Sequence, residues 1–259
     1  MLTVHYLGTG AAVPSPGRDN TSLALDDGRE VTLVDTSGSP LKQLGEAGIA
    51  PDRLSRVIIT HEHLDHTFGY PSLLQSLWLV GRKSPLDVYA QAATWRVLDG
   101  LTDLYRSDRW TDVFPLHKHQ IEPGERPFVE TDRITVRAGR GKHSVPSVGL
   151  RIETSSGSAL TYSSDTSPCD EIRELARSAS VLVHESTFLA GQEEQAARFG
   201  HSTARQAAEV AAAARVERLV LIHFTPFGPD DLASLRQGAE AAFGGQIEVP
   251  SDLDTLALA

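Results

Sequence analysis

Hydrophobic positions along the chain alternate between a period of two and a period of 3.6, which predicts strands and helices in turn. Apolar or β-branched runs predict strands in the first third at Thr3–Leu7, Ser22–Leu25, Val31–Val34 and Arg56–Thr60. The turn Asp26-Asp27-Gly28 separates the second and third of these runs and indicates a hairpin. Helical periodicity predicts helices at Pro40–Ala47, Pro71–Val80 and Thr94–Tyr105.

The middle of the chain, from His117 to Tyr162, is rich in strand signals, and the last third returns to strand–helix alternation. Strands are predicted at Thr135–Arg137, Val148–Ile152, Ala159–Tyr162, Val181–His184, Leu219–Phe224 and Ile247–Val249. Helices are predicted at Thr203–Ala214 and Asp230–Phe243, and Thr203 and Gln206 have the spacing of a capping box. Two strand-rich halves flanked by helices predict an α/β protein with a four-layer αβ/βα sandwich. We expect a single domain over residues 1–259.

Composition limits the classes of function. The chain has 259 residues, of which 40% are hydrophobic and 22% charged, and it has no apolar run of 18 residues, so we expect no membrane-spanning helix. Its formal net charge of −10 argues against binding nucleic acid over the whole surface. The single cysteine, Cys169, cannot form an internal disulfide, so a cytoplasmic location is expected.

One cluster of potential metal ligands directly follows the predicted Arg56–Thr60 strand, in the run Thr60-His61-Glu62-His63-Leu64-Asp65-His66. His61 and His63 are two residues apart, so in extended backbone they point the same way and can share one metal ion. Asp65 and His66 lie past a turn and can face a second ion. Zinc and similar ions bind neutral imidazole nitrogen and carboxylate oxygen, so the run predicts a metal site.

Further candidate ligands and acid–base groups lie at predicted strand ends or beside loops elsewhere in the chain. They are His143, Asp165, His184, Glu185, His201 and His223. The carboxyl ends of strands in an α/β fold meet on one rim, where such folds place active sites. Other chemistries lack their motifs: Gly8-Thr9-Gly10 has no third glycine at dinucleotide-binding spacing, and neither a Gly-x-Ser-x-Gly elbow nor a P-loop occurs.

Seven motifs spread over almost the whole chain resemble those of the metallo-β-lactamase superfamily, and within it the ribonuclease Z-like branch. They are Leu33-Val34-Asp35-Thr36, His61-Glu62-His63-Leu64-Asp65-His66, His143-Ser144-Val145-Pro146-Ser147-Val148-Gly149, Ser163-Ser164-Asp165-Thr166, His184-Glu185-Ser186-Thr187-Phe188, Gly200-His201-Ser202-Thr203 and Leu221-Ile222-His223-Phe224-Thr225-Pro226. The second motif is the most specific for the superfamily, and the fifth and sixth point to the branch.

This resemblance implies two divalent metal ions, zinc first, with manganese or iron as alternatives. The implied ligands are His61, His63 and His143 for the first ion, Asp65, His66 and His223 for the second, and Asp165 for both. Asp35 would orient the histidine loop from behind. Asp65, Glu185 and His201 would be catalytic, with Glu185 and His201 as a charge-coupled pair, whereas His184 is expected to be structural.

The implied reaction is hydrolysis of a phosphodiester by a metal-bridging hydroxide, with His201 as the acid that protonates the leaving oxygen. Arg140 and Lys142 lie beside His143 and could hold a phosphate, or could simply be solvated loop charges. A homodimer is expected because the branch often dimerises. The phosphodiester partner is a small molecule or RNA, and no membrane partner is expected.

One feature departs from ribonuclease Z itself, which clamps tRNA with a long arm between its His and Asp motifs. Here Asp165 follows His143 by only 22 residues, enough for two strands and a turn. Affinity for a long polyanion needs many Lys and Arg contacts, and no dense basic stretch is visible. The sequence therefore favours a small or short phosphodiester over tRNA 3′-end processing. A non-catalytic metal-binding protein is the alternative from another class.

Overall fold

A computed structural model describes residues 1–225 and 229–258 of the protein. Pro226, which ends the motif beginning at Leu221, lies outside the described residues, as does Ala259. The described part contains two β-sheets with helices on their outer faces.

The first sheet contains seven strands, and most of it comes from the first half of the chain. Its strands are β1 (Leu2–Gly8), β2 (Ser22–Asp26), β3 (Val31–Val34), β4 (Leu54–Ile59), β5 (Leu86–Ala90), β6 (Leu116–Gln120) and the late strand β14 (Thr255–Leu258). Their order is β14-β1-β2-β3-β4-β5-β6. Strands β3 to β6 are parallel, so their carboxyl ends lie on one edge.

The second sheet also contains seven strands and comes from the second half. Its strands are β7 (Val129–Glu130), β8 (Ile134–Arg140), β9 (Val148–Thr154), β10 (Ala159–Tyr162), β11 (Val181–Glu185), β12 (Arg218–Ile222) and β13 (Gln246–Glu248). Their order is β13-β12-β11-β10-β9-β8-β7, and β10 to β13 are parallel.

Eight α-helices are described. They are α1 (Pro40–Glu46), α2 (Leu64–Thr67), α3 (Tyr70–Leu79), α4 (Ala92–Leu104), α5 (Asp170–Leu175), α6 (Glu193–Phe199), α7 (Ala204–Ala214) and α8 (Pro229–Glu240). Buried side chains of α1, α3 and α4, among them Leu44, Leu73 and Leu98, pack on the first sheet. Helices α7 and α8 cover the second sheet through residues such as Ala207 and Leu235.

A third apolar cluster fills the space between the two sheets. Val4 and Leu25 of the first sheet share it with Val136 and Leu150 of the second. Helix, sheet, sheet and helix therefore form four layers, which confirms the predicted sandwich. The predicted capping box is also present: Gln206 N donates to Thr203 Oγ1 at 3.2 Å, and Thr203 N donates to Gln206 Oε1 at 2.9 Å.

The loop after β1 is joined to the segment before β14 by a set of contacts that we call the terminal latch, formed by Thr9, Arg18 and Asp252. Arg18 Nη1 donates to Thr9 Oγ1 at 2.6 Å and to the Pro250 carbonyl at 2.7 Å. Thr9 Oγ1 donates to Asp252 Oδ1 at 2.7 Å. The Arg18 guanidinium also lies 4.6 Å from the ring centroid of Phe224. The latch therefore links both ends of the described chain to the end of β12.

The described helices of this protein are short beside the roughly 20 apolar residues that a bilayer-spanning helix needs. Within residues 1–225 and 229–258, none is both long enough and apolar enough to cross a membrane.

Candidate metal centre

The predicted ligands lie where parallel strands of both sheets end. Asp35 follows β3 and His61 follows β4, while Asp165 follows β10 and His223 follows β12. The backbone turns sharply at several of these ends, since Asp35, Ser164 and His223 have φ angles of 62°, 53° and 54°. Such left-handed angles are uncommon outside glycine and cluster at functional sites. The fold thus directs side chains from two sheets into one cleft.

A first group of donor atoms consists of His61 Nε2, His63 Nδ1, His143 Nε2 and an oxygen of Asp165. His63 Nδ1 lies 3.2 Å from His61 Nε2 and 3.0 Å from His143 Nε2. Asp165 Oδ2 lies 3.7 Å from His61 Nε2 and 4.0 Å from His143 Nε2. The residues predicted for the first ion are therefore together.

A second group consists of Asp65, His66, His223 and again Asp165. His66 Nε2 lies 3.5 Å from Asp65 Oδ2 and 3.5 Å from Asp165 Oδ2. His223 Nε2 lies 3.5 Å from Asp65 Oδ2 and 3.3 Å from Asp165 Oδ1. Asp165 is shared between the two groups, as a bridging carboxylate would be.

Both groups fit divalent cations. A tetrahedral ion with bonds of about 2.0–2.1 Å separates its ligand atoms by roughly 3.4 Å, close to the spacings found here. Within the described residues, His66 Nε2, His223 Nε2 and Asp165 Oδ1 are buried and have no hydrogen-bond partner. Buried polar atoms without partners are costly, and coordination to a cation would satisfy all three.

The outer nitrogens of four histidines contact polar atoms behind the cleft. The Nδ1 partners and distances are Thr60 Oγ1 at 3.1 Å for His61, Asp35 Oδ2 at 2.8 Å for His66, the Gly200 carbonyl at 2.7 Å for His143, and Thr187 Oγ1 at 3.0 Å for His223. Such partners fix the ring orientation of metal-ligating histidines. In each case the Nε2 atom is left facing the shared cleft.

Protonation of the cluster follows from burial and from its carboxylates. Burial lowers the pKa of His61 well below its ordinary value, which keeps the ring neutral, the form that binds metal. Burial also opposes a charge on His66, but the carboxylates of Asp165 and Asp35 outweigh it and raise the pKa well above the usual value. Asp35 is itself held in place, since its Oδ1 accepts from Thr60 N at 2.8 Å.

Glu185 and His201 form the predicted pair beside the metal ligands. Glu185 Oε1 lies 2.9 Å from His201 Nδ1. Burial opposes a charge on His201, but the Glu185 carboxylate outweighs it and raises the pKa to about 9. The His201 ring centroid is 4.9 Å from that of His143 and 5.6 Å from that of His223. A protonated imidazole is thus placed next to both donor groups.

Thr187 joins this pair to the second donor group, and no role was predicted for it. Its Oγ1 donates to Glu185 Oε2 at 2.8 Å and lies 3.0 Å from His223 Nδ1 and 3.2 Å from His201 Nδ1. Its presence in the same short motif as Glu185 is the signal that could have indicated it. His184 is buried but belongs to neither donor group. Its Nδ1 contacts the Glu185 carbonyl at 2.7 Å.

Arg140 and Lys142, beside His143, make no side-chain hydrogen bond or ion pair with the candidate ligands in the described part of the chain. Arg140 lines a groove with Arg137 and Arg151, and this groove includes none of the metal-ligand candidates. The Lys142 side chain is exposed, and its backbone N donates to Thr166 Oγ1 at 2.9 Å.

The chain is similar to known proteins of one superfamily in both sequence and fold. A family model described as a β-lactamase superfamily domain matches residues 31–224. The ribonuclease Z of Methanothermobacter thermautotrophicus is 34% identical over 272 aligned positions, covering 87% of each chain. The ribonuclease Z of Pyrococcus horikoshii is 28% identical over 308 positions, covering 100% of this chain and 96% of that one. The crystal structure of the short form of human tRNase Z has a TM-score of 0.82 at 26% identity over 99% of both chains. The chain therefore belongs to the metallo-β-lactamase superfamily and is a metal-dependent hydrolase of its ribonuclease Z-like branch.

Proposed function

We propose that the protein hydrolyses phosphodiester bonds with two divalent cations. The observation that carries the proposal is the convergence of two donor groups on Asp165, next to the His201–Glu185 pair. The first ion would be held by His61, His63 and His143, the second by Asp65, His66 and His223, and both by Asp165. Bound there, the cations would supply Lewis-acid activation of water and neutralise charge on the phosphate oxygens.

The chain's own acid–base group is His201. Its side chain is 15% exposed, so substrate can reach it, while Glu185 is fully buried and holds it in the protonated form. We propose that His201 gives its proton to the leaving oxygen as the P–O bond breaks. Thr187 and Asp35 would position this pair and the ligand His66, without touching substrate.

Zinc is the metal that we propose, because neutral imidazole and carboxylate are donors that it accepts, although such sites also bind manganese or iron. We further propose a single domain over residues 1–259, a homodimer and a cytoplasmic location. The lone cysteine supports the location, and the resemblance to the branch supports the dimer.

For the substrate, we propose a small or short phosphodiester. The segment between His143 and Asp165 consists mainly of β9, a turn and β10. It therefore leaves no room for an inserted arm. The ribonuclease Z of Pyrococcus horikoshii aligns over 308 positions against 259 residues of this chain, so it has residues without a counterpart here. A net charge of −10 also opposes binding of a long polyanion.

A second candidate is processing of tRNA 3′ ends. Its support is that several relatives across the whole chain are named ribonuclease Z, and that the short form of human tRNase Z shares the fold. A panel of substrates at matched metal loading separates the two: precursor tRNA, cyclic nucleotides, a ribosyl cyclic phosphate and carboxyl esters. Faster cleavage of precursor tRNA than of the small diesters would replace the first proposal with the second.

Replacing one proposed ligand tests the metal chemistry itself. Asp65→Ala removes a donor of the second group and should abolish hydrolysis of bis(p-nitrophenyl) phosphate while the circular dichroism spectrum is kept. Asp103→Ala, an exposed carboxylate on α4, is the matched control and should retain full activity. Unchanged activity in Asp65→Ala would contradict the second-ion role. Tight metal binding without turnover of any substrate would favour a non-catalytic metal-binding protein.

A further inference from the structure

A cavity of about 230 Å³ lies beside the candidate metal centre and includes none of its ligands. Its lining residues are Phe68, Pro71, Ser72, Gln75, Tyr105 and Trp110. Four of the six come from the helical stretch that starts with the metal-ligand loop. The other two come from the segment that follows α4.

One helical face connects this cavity to the metal centre. Phe68 and Gly69 keep α-helical backbone angles between α2 and α3, and the helical ladder is interrupted there, where Gly69 N donates to the Thr36 carbonyl at 2.8 Å. Asp65, Phe68, Ser72 and Gln75 follow one another at spacings of three or four residues, which places them on the same face. At 1.5 Å per residue, Phe68 lies about 4.5 Å along the axis from Asp65, and Gln75 about 15 Å.

The walls of the cavity are aromatic and accessible. Phe68 is 40% exposed and Tyr105 is 61% exposed. Trp110 is held flat against Trp78, with ring centroids 5.1 Å apart and an angle of 2° between the planes. Trp78 is fixed in turn, because its Nε1 donates to the Thr111 carbonyl at 2.9 Å. The cavity therefore offers ring surfaces, one of them rigidly oriented.

The remaining lining is polar but carries no charge. The Ser72 hydroxyl and the Gln75 amide have no hydrogen bond to any other described residue. An amide and a hydroxyl can donate to and accept from the edge of a planar heterocycle. Phosphate would need a cation here, and none of the six described lining residues is one. A flat, neutral ring with polar edges matches this lining better than an anion does.

We propose that this cavity binds a nucleobase of the substrate, one nucleotide unit away from the scissile phosphate. The base stacks on Phe68 and Tyr105 and presents its edge to Gln75. This inference rests on the proposed phosphodiesterase activity and adds a preference for nucleoside-bearing diesters. Base–aromatic stacking tolerates any base, so we expect selection for a base over an alkyl group and not for one base over another.

Two substrates with the same leaving group isolate the contribution of the base. They are thymidine 5′-(p-nitrophenyl) phosphate and methyl p-nitrophenyl phosphate, compared by kcat/KM at matched metal loading. Wild-type protein should prefer the thymidine ester. Phe68→Ala should reduce that preference roughly tenfold, within the range for losing one base–aromatic stack, mainly through KM. Tyr105→Ala, at a more exposed position, should reduce it in the same direction.

Leu104→Ala is the matched control, since Leu104 is 74% exposed beside Tyr105 and does not line the cavity. Its ratio should equal that of the wild type. Equal ratios in wild type and both cavity variants would overturn the proposal while leaving the phosphodiesterase intact. If neither ester is hydrolysed, the proposed function fails. The base-binding proposal is then tested separately, by comparing the affinity for thymidine 5′-monophosphate with that for methyl phosphate. A change of sedimentation in Phe68→Ala with an unchanged ratio would assign this surface to a second copy of the chain.

Discussion

Asp35→Asn tests whether the carboxylate behind the metal ligands orients them. Asp35 accepts from two N–H donors, Thr60 N at 2.8 Å on Oδ1 and His66 Nδ1 at 2.8 Å on Oδ2, and also from the Thr60 hydroxyl, 3.1 Å and 3.0 Å from the two oxygens. Asparagine has almost the same shape but only one acceptor oxygen. One of the two donors must therefore face an NH₂ group, or His66 must change its tautomer.

The magnitude follows from that count. A buried donor without a partner costs about 1–3 kcal/mol, so the free energy of unfolding should fall by roughly that amount. At about 2–4 °C per kcal/mol for a protein of this size, Tm should drop by roughly 2–12 °C. A misoriented His66 should also bind its ion more weakly, by about 10- to 100-fold, as found for partners of metal-ligating histidines.

Two measurements check this: thermal unfolding of the metal-free protein and competition for zinc with a chromogenic chelator. Asp27→Asn is the matched control, because Asp27 is a buried carboxylate that accepts from Arg29 N and Glu30 N in the β2–β3 turn. Both bonds are on Oδ1, an acceptor that asparagine keeps, so this variant should change stability little and keep both metal affinities. Wild-type affinity for both ions in Asp35→Asn would refute the reasoning, whatever the change in Tm.

Three further predictions concern the proton donor and the backbone. His201→Ala should slow diesters with poor leaving groups more than those with p-nitrophenolate, and an equal loss on both would remove its role as acid. In metal-free protein, NMR should show His201 titrating near pH 9, and Glu185→Gln should lower that pKa. Because folding raises the pKa of His201, the stability contributed by the His201–Glu185 pair is complete below about pH 6.5 and is lost as the pH rises through about 9. If the difference in free energy of unfolding between wild type and Glu185→Gln does not change with pH over that window, this linkage is contradicted. Gly8→Ala should unfold the protein more readily in urea, since its Cβ would lie 2.0 Å from the Asn20 carbonyl oxygen, whereas Gly45→Ala in α1 meets open space and should stabilise by about 0.5–1 kcal/mol.

Local chemistry made much of the site predictable. His61, His63, Asp65 and His66 lie within one run after a β-branched strand, so their proximity needs no knowledge of the rest of the fold. The four-layer architecture was predictable for a similar reason, because strands such as Val181–Glu185 are uniformly buried and begin with an apolar run, here Val-Leu-Val. Boundaries were less certain: the strand predicted to reach Phe224 ends at Ile222.

What escaped prediction depends on distant parts of the chain. Strand β6 reads Leu-His-Lys-His-Gln and is mostly exposed, so it has no apolar signal and exists because it pairs with β5. Strand β14 is fixed by pairing with β1 across almost the whole sequence. The motif could indicate that Thr187 contacts Glu185, but not that it contacts the His223 ring, which is 36 residues away.

The terminal latch joins residues that are made early and late during synthesis of the chain. His223 N donates to the Thr9 carbonyl at 2.8 Å, and Thr9 is held by Asp252. A ribosome makes Thr9 near the beginning and Asp252 some 240 residues later. A nascent chain that already contains every proposed ligand therefore still lacks Asp252, which holds Thr9 where its carbonyl meets the backbone N of His223. We expect the second cation to be captured tightly only after residue 252 has been made and has closed the latch.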